Sequence, residues 1–486
     1  MNHESTDGQR GDEGAVEGES IRSSPRSFFV LPAPSLLLYG AMVVAAVALF
    51  LLVRAYGETL TAPEVAAGGA TGHAVARKGD ALLQVLLALA AVVAGGLLLG
   101  RLFAWVGQPP VIGEVVAGIL LGPSLLGQAG SAVILPDAVA PYLGVIAQLG
   151  VILYMFVIGL ELDAGRLRSR ARTTVLTSHA SIVVPFVMGS SLALWLYPVL
   201  SHQGVSFTSF ALFMGVATSI TAFPVLARIL SDRSMAKTEL GVLALGCAAI
   251  NDATAWCLLA FVVGVAEAQV SGSLLVCVLS VGFVALMIVA VRPLARLFVR
   301  RCEEGPLTRG RIAVVLVAVL LSALATEAIG IHAIFGAFLL GAVVPHDSRV
   351  AREIGHRLHD VVTVLLLPAF FAYTGMRTQI GLVSGAEQWL LCGVIIVVAT
   401  AGKFGGTLIA ARLTGLGWRP AASLGLLMNT RGLMELIALN IGLDLGVISP
   451  ALFAMMVLMA LATTLATTPL LQLLAARKAH GAGGGR

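Results

Sequence analysis

The chain has 486 residues, of which 58% are hydrophobic and 12% charged, with a formal net charge of +5. A soluble protein of this size carries about 25% charged residues, so the composition argues against a soluble globular fold and for long apolar runs that cross a bilayer. The arginines fall in short loops between those runs, where they set orientation rather than bind nucleic acid.

Residues 1–34 form a polar tail rich in Gly, Glu and Ser and are expected to be disordered and cytoplasmic. The first apolar run begins near Ser35, too far from the N-terminus for a cleavable signal peptide. It gives an extra transmembrane helix over 35–55, apolar across 36–53, followed by an external linker over 56–80. Lipid offers no partner to bare backbone polar groups, so each run of about 20 apolar residues is a helix. Thirteen core spans follow, at 81–104, 109–127, 143–162, 173–197, 206–230, 237–267, 272–293, 311–329, 332–346, 359–378, 388–413, 420–441 and 450–475. They make one transmembrane domain over 81–477, with a short cytoplasmic tail at 478–486.

The loops test that count. Basic residues cluster after the third span (Arg166, Arg168, Arg170, Arg172), the fifth (Arg233, Lys237) and the seventh (Arg296, Arg300, Arg301, Arg309, Arg311). They return after the ninth (Arg349, Arg352, Arg357) and the eleventh (Arg419). The loops after the second, fourth, sixth, eighth and twelfth spans hold no Lys or Arg, and Arg377 near the end of the tenth is one mild exception. The alternation puts both termini in the cytoplasm. The five cysteines show no CxxC spacing and no nearby His cluster, so neither a disulfide framework nor a metal site is expected.

Ionisable groups at membrane depth are costly and usually functional. Asp252 lies near the middle of the 237–267 span, next to Asn251. A carboxylate there can hold a proton or a hard monovalent cation, seldom both, and that competition is the minimum chemistry of an exchanger. The alternative is a structural carboxylate paired with a buried base. In the 206–230 span, Pro224 disturbs the turn before it, and Thr218, Ser219 and Thr221 supply oxygens beside the break. The 420–441 span also carries polar residues and Gly432 inside an apolar run. Two interrupted helices in corresponding halves are a pattern of inverted-repeat transporters. Lys403, and Arg431 with Glu435 four residues on, are supporting charges, the latter two able to face one another as a packing ion pair. Glu114, Glu161 and Glu327 are further candidates. Asp163 reads as a solvated interface charge, and His179 and His332 as packing residues.

These motifs resemble those of the cation:proton antiporter-2 family. The similarity rests on Gly113-Glu-Val-Val-Ala-Gly-Ile-Leu-Leu-Gly-Pro-Ser-Leu-Leu-Gly127, Phe223-Pro-Val-Leu-Ala-Arg228, Asn251-Asp252, Ile331-His-Ala-Ile-Phe-Gly-Ala-Phe338, Leu427-Met-Asn-Thr-Arg-Gly-Leu-Met-Glu-Leu436 and Asn440-Ile-Gly442. It covers about residues 81–475 and is strongest to plant-type cation/H+ exchangers and their bacterial relatives. The resemblance implies an all-α polytopic membrane protein with a sodium/proton antiporter-like fold of inverted repeats. It implies unwound fifth and twelfth spans that cross near the midplane, a moving core of spans 4–6 and 11–13, and a scaffold that forms a homodimer. Asp252 would carry cation and proton in turn. The Asn-Asp pair implies electroneutral exchange, and Lys403 matches the basic residue that in two-Asp relatives pairs with the first Asp.

The expected function is therefore secondary antiport of K+ or Na+ against H+. Thr218, Ser219, Thr221 and Asn251 complete the site, with no cofactor and no nucleic-acid partner. The energy source is an ion gradient, since no Walker-type sequence is present. A gated monovalent cation channel on the same scaffold is the alternative. A membrane enzyme would need a nucleophile–base set or metal cluster at depth, and none is evident. The expected location is a cell membrane, the bacterial inner membrane by resemblance.

Overall fold

The computed structural model describes residues 33–62, 78–161, 171–235, 238–267, 273–303, 305, 307–330 and 332–482. Among them no strand occurs, and ten helices are long and apolar enough to cross a membrane, with three shorter apolar helices beside them. The extra N-terminal helix α1 runs over Ala33–Gly57, slightly longer than expected at both ends. The core follows as α2 (Lys78–Trp105), α3 (Pro110–Leu121), α4 (Pro123–Ile134), α5 (Ala140–Glu161) and α6 (Ala171–Leu200). The expected 206–230 span is two helices, α7 (Phe207–Ser219) and α8 (Phe223–Asp232). Then come α9 (Glu239–Glu267), α10 (Ser273–Leu286), α11 (Arg292–Glu303), α12 (Arg309–Ile329) and α13 (Ala333–Val343). After them run α14 (Arg349–Val361), α15 (Leu367–Arg377), α16 (Gly385–Thr400) and α17 (Gly406–Leu413). The expected 420–441 span is again two helices, α18 (Trp418–Met428) and α19 (Leu433–Asp444), and α20 (Pro450–Ala482) extends past the expected end of the last span. The tail over 1–32 and most of the linker, 63–77, lie outside the described residues.

Three π turns join α10 to α11 (Met287–Val291), α14 to α15 (Val362–Leu366) and α16 to α17 (Ala401–Gly405). A π turn inserts a residue, rotates the side chains that follow, and often marks a functional position.

The helices pack as two groups. One joins α2, α3, α5, α12, α13 and α15; the other joins α6 to α9 and α16 to α20. In the first, α3 and α15 meet backbone to backbone: a Cβ on Gly375 would lie 2.1 Å from the Gly118 carbonyl oxygen, so only glycine fits. Large aliphatic side chains stay on the outside, as in α12 with Val314, Val317, Leu320, Leu321 and Leu324, a surface suited to lipid. Helix α1 joins the second group. Tyr39 meets the ring of His179 edge-on at 4.8 Å, Phe50 meets Phe186 at 6.0 Å, and Gly57 abuts the ring of Phe207. The Thr208 hydroxyl donates to Glu58 at 2.5 Å.

Candidate functional site

The two broken helices meet inside the second group. Helix α7 starts at an N-cap Ser206, whose hydroxyl accepts from the Ser209 amide at 3.1 Å. It stops at Ser219 because Ile220 is extended (φ −67°, ψ 139°). Pro224 then falls in the first turn of α8, where a missing N–H costs no helical bond. In the other strand of the crossing α18 ends at Met428, and α19 resumes after Gly432. A Cβ on Gly432 would approach Val225 to 2.9 Å, so the two breaks sit against each other there.

Hydrogen bonds fix the crossing. The Ala222 amide donates to the Thr430 carbonyl at 3.0 Å, and the Thr221 hydroxyl to the Met428 carbonyl at 3.1 Å. The Thr221 amide donates to Asn251 Oδ1 at 3.2 Å, while Asn251 Nδ2 donates to Ser181 Oγ at 3.0 Å. Asn251 thereby ties α9 to the α7–α8 break and to α6. Asp252, the next residue, is 3% exposed, and neither carboxylate oxygen has a hydrogen-bond partner. The backbone amide of Phe223, at the start of α8, is the group that approaches it, without closing a bond of normal geometry. A carboxylate facing a helix N-terminus meets the positive end of its dipole.

The C-terminus of α7 is occupied by cations. Arg431, fully buried, donates to the Ala217 carbonyl at 3.0 Å, the Thr218 carbonyl at 2.7 Å and Glu435 Oε2 at 2.7 Å. Lys403, fully buried on the Ala401–Gly405 π turn, donates from Nζ to the Ser219 carbonyl. The last carbonyls of a helix lack intrahelical partners and carry the negative end of the dipole, so three of them here are capped by two positive side chains. Lys403 makes no ion pair within 4 Å with Asp252.

The predicted site residues thus divide by what they touch. Asn251 precedes Asp252 on α9 and binds the Thr221 amide, and the start of α8 approaches Asp252 through the Phe223 amide. The hydroxyl hydrogens of Thr218 and Ser219 are directed to carbonyls of α6 and α7, at 2.9 Å to Pro185 and 2.6 Å to Gly215; their lone pairs stay available. Arg431 and Glu435 form the packing pair that their spacing allowed, at 0% exposure each. Elsewhere, Glu114 is half-buried on α3 beside Gly96 and Gly100. Glu327 is exposed, accepts the Ala333 amide at 2.7 Å, and lines a cavity of about 390 Å³ with His332, Tyr373, Asn440 and Asp444. His179 hydrogen-bonds the Val175 carbonyl at 2.8 Å through Nδ1. Asp163 and the side chain of Glu161 lie outside the described residues.

Two features were not anticipated. Asn429, in the α18–α19 break, is 4% exposed and its Oδ1 has no donor. Beside the cavity, Arg377 of α15 bridges to α19, 2.6 Å from Asp444 Oδ1 and 3.2 Å from Asn440 Oδ1. Arg377 stood out in sequence only as the basic residue in the wrong loop.

Comparison with known proteins places this architecture. The family model described as "Sodium/hydrogen exchanger, transmembrane" matches residues 87–475. The chain is 42% identical over 407 residues to the Na(+)/H(+) antiporter NhaS4 of Synechocystis sp., covering 82% of this chain and 99% of that protein. It is 40% identical to Cation/H(+) antiporter 19 of Arabidopsis thaliana, over 81% of this chain but only 50% of the plant protein. It is 34% identical to the K(+)/H(+) antiporter 1 of Saccharomyces cerevisiae, over 76% of this chain and 44% of that one. The chain thus spans about half the length of the plant and yeast relatives. Among solved structures it superposes on the sodium proton antiporter MjNhaP1 from Methanocaldococcus jannaschii with a TM-score of 0.60 at 12% identity, covering 80% of this chain and 96% of that one.

Proposed function

This chain belongs to the sodium/hydrogen exchanger family, and from that premise we propose that it is a multi-pass secondary antiporter exchanging a monovalent cation, Na+ or K+, for protons. The observation that carries the reading is Asp252: a buried carboxylate, without a hydrogen-bond donor, where two broken helices cross. Its oxygens are free to take a proton or a cation. Asn251 and Thr221 hold the walls of the position, and Thr218 and Ser219 offer lone pairs from the α7 end. Arg431, Glu435 and Lys403 keep the α7 terminus electrically balanced while Asp252 changes ligand. The energy comes from an ion gradient.

The two helix groups are suited to alternating access, with the α6–α9 and α16–α20 group moving against the other, and the other forming a dimer scaffold. The basic loops orient both termini to the cytoplasm. A gated channel is not favoured, because the similar proteins are named as antiporters.

The test is Asp252→Asn, purified and placed in proteoliposomes with a pH-sensitive dye. An amide neither titrates nor balances a cation, so adding Na+ or K+ should move no protons, while the variant elutes and inserts like the parent. Exchange at the parent rate would remove Asp252 from the mechanism.

A further inference from the structure

Two helix C-termini meet at the crossing, those of α7 and α18, and they are treated differently. Each carries about half a negative charge on its unsatisfied carbonyls. At α7 that charge is met by Arg431 and Lys403, which donate to the carbonyls of Ala217, Thr218 and Ser219. At α18, among the described residues, no Lys or Arg donates to the terminus: the Met428 carbonyl accepts the Thr221 hydroxyl and the Thr430 carbonyl accepts the Ala222 amide. Asn429 lies between them, 4% exposed, with its Oδ1 lacking any donor. A buried carbonyl oxygen without a partner costs free energy and is rare in folded proteins.

Two paths link Asn429 to Asp252 across the crossing. Asp252 follows Asn251, whose Oδ1 takes the Thr221 amide at 3.2 Å, and Thr221 in turn bonds Met428, the neighbour of Asn429, at 3.1 Å. On the other side the Phe223 amide approaches Asp252, and Ala222, one residue before it, bonds Thr430 at 3.0 Å. Asn429 and Asp252 are thus joined across the crossing by hydrogen bonds of their chain neighbours, and both hold side-chain oxygens without a donor.

We propose that Asn429 Oδ1 is a ligand of the transported cation, shared with Asp252, so that the α18 terminus contributes to the site as well as the α7 end. The assignment rests on the reading of Asp252 as carrier. Hard monovalent cations take oxygen ligands, and selection among them depends on the number and placement of those dipoles. An amide oxygen does not compete for protons. Asn429 therefore governs cation affinity and the preference between Na+ and K+, and leaves the proton half of the cycle to Asp252.

The test uses full-length protein in proteoliposomes, with Asn429→Ala to delete the oxygen and Asn429→Gln to move it by one methylene. Flux is measured against Na+ and K+ separately. The expected result is a half-saturation constant about tenfold higher or more for the preferred cation, the loss expected for one ion–dipole contact. The Na+/K+ ratio should change with it, which a merely structural loss that slows both cations alike would not produce. An unchanged constant and an unchanged ratio in either folded variant overturns the proposal. Failure of both variants to fold also overturns it, by assigning Asn429 to the structure alone. Asp252→Asn is run in parallel: if it keeps exchanging, the carrier reading fails, whereas an inactive Asp252→Asn beside parent-like Asn429 variants removes only the ligand assignment.

Discussion

At the scale of single residues, the proposed chemistry is one carboxylate, Asp252, choosing between two ligands. A single shared site makes protons competitive with the cation. At pH values where Asp252 is mostly protonated, each further unit of acidification should raise the apparent cation constant by about tenfold. Initial rates in vesicles at several cation concentrations and two pH values a unit apart measure this, and a constant that stays flat would exclude a shared site. Asp252 was legible in the sequence because a charge inside a long apolar run has few bland explanations. Arg431 and Glu435 were legible as a pair because four residues of helix bring them together. The partners of Lys403 were not: the carbonyl it caps, Ser219, lies 184 positions away, and nothing local in Ala-Gly-Lys-Phe-Gly announces it. Asn429 was invisible for the opposite reason. Its distinction is a missing partner, and that exists only once the surroundings are folded.

At the scale of elements, hydropathy located the helices well because lipid enforces regular backbone. The breaks at Pro224 and Gly432 were marked by residue types unsuited to mid-helix positions. What hydropathy could not mark was the π turn under Lys403, since an inserted residue leaves an apolar run apolar. Nor could it separate glycines that permit helix contact from glycines that merely occur. Gly375 and Gly393 make that contrast testable. A Cβ on Gly375 would strike the α3 backbone at Gly118, and backbone cannot step aside; Gly393 on α16 has nothing within 4 Å. Gly375→Ala should lower stability by about 1–3 kcal/mol or more through overpacking. Gly393→Ala should leave it unchanged or raise it by up to about 1 kcal/mol, because alanine is the better helix former. Thermal unfolding of the two purified variants in one detergent compares them directly, and equal losses would contradict the close approach of α3 and α15.

At the scale of the whole molecule, the question is what charge crosses the membrane in a full cycle. Asn251 cannot titrate, so on the proposed reading Asp252 alone would load either one proton or one cation, and exchange would be one for one. Lys403 is the residue that could change this by releasing a proton in each cycle. Its ammonium caps the Ser219 carbonyl, however, and a neutral amine would surrender one of the two cations that balance the α7 terminus. Transport should therefore be insensitive to membrane potential. Flux with the potential clamped at several values by a potassium ionophore, and sodium as substrate, tests it; a steep dependence would assign Lys403 as a second proton carrier. Any sliding of the two helix groups must also part Arg377 from Asp444 and Asn440, the bridge beside the cavity. It must carry α1 along as well, because that helix is fastened to α6 and α7 through Tyr39, Phe50, Gly57 and Glu58. Its outer face, with Val44, Leu51, Leu52 and Tyr56 exposed, would then be dragged through the acyl chains at every turnover. In such a motion helix α1 would be a paddle in a viscous medium: it would enlarge the perimeter that shears against lipid, and would couple the speed of exchange to the fluidity of the bilayer around it.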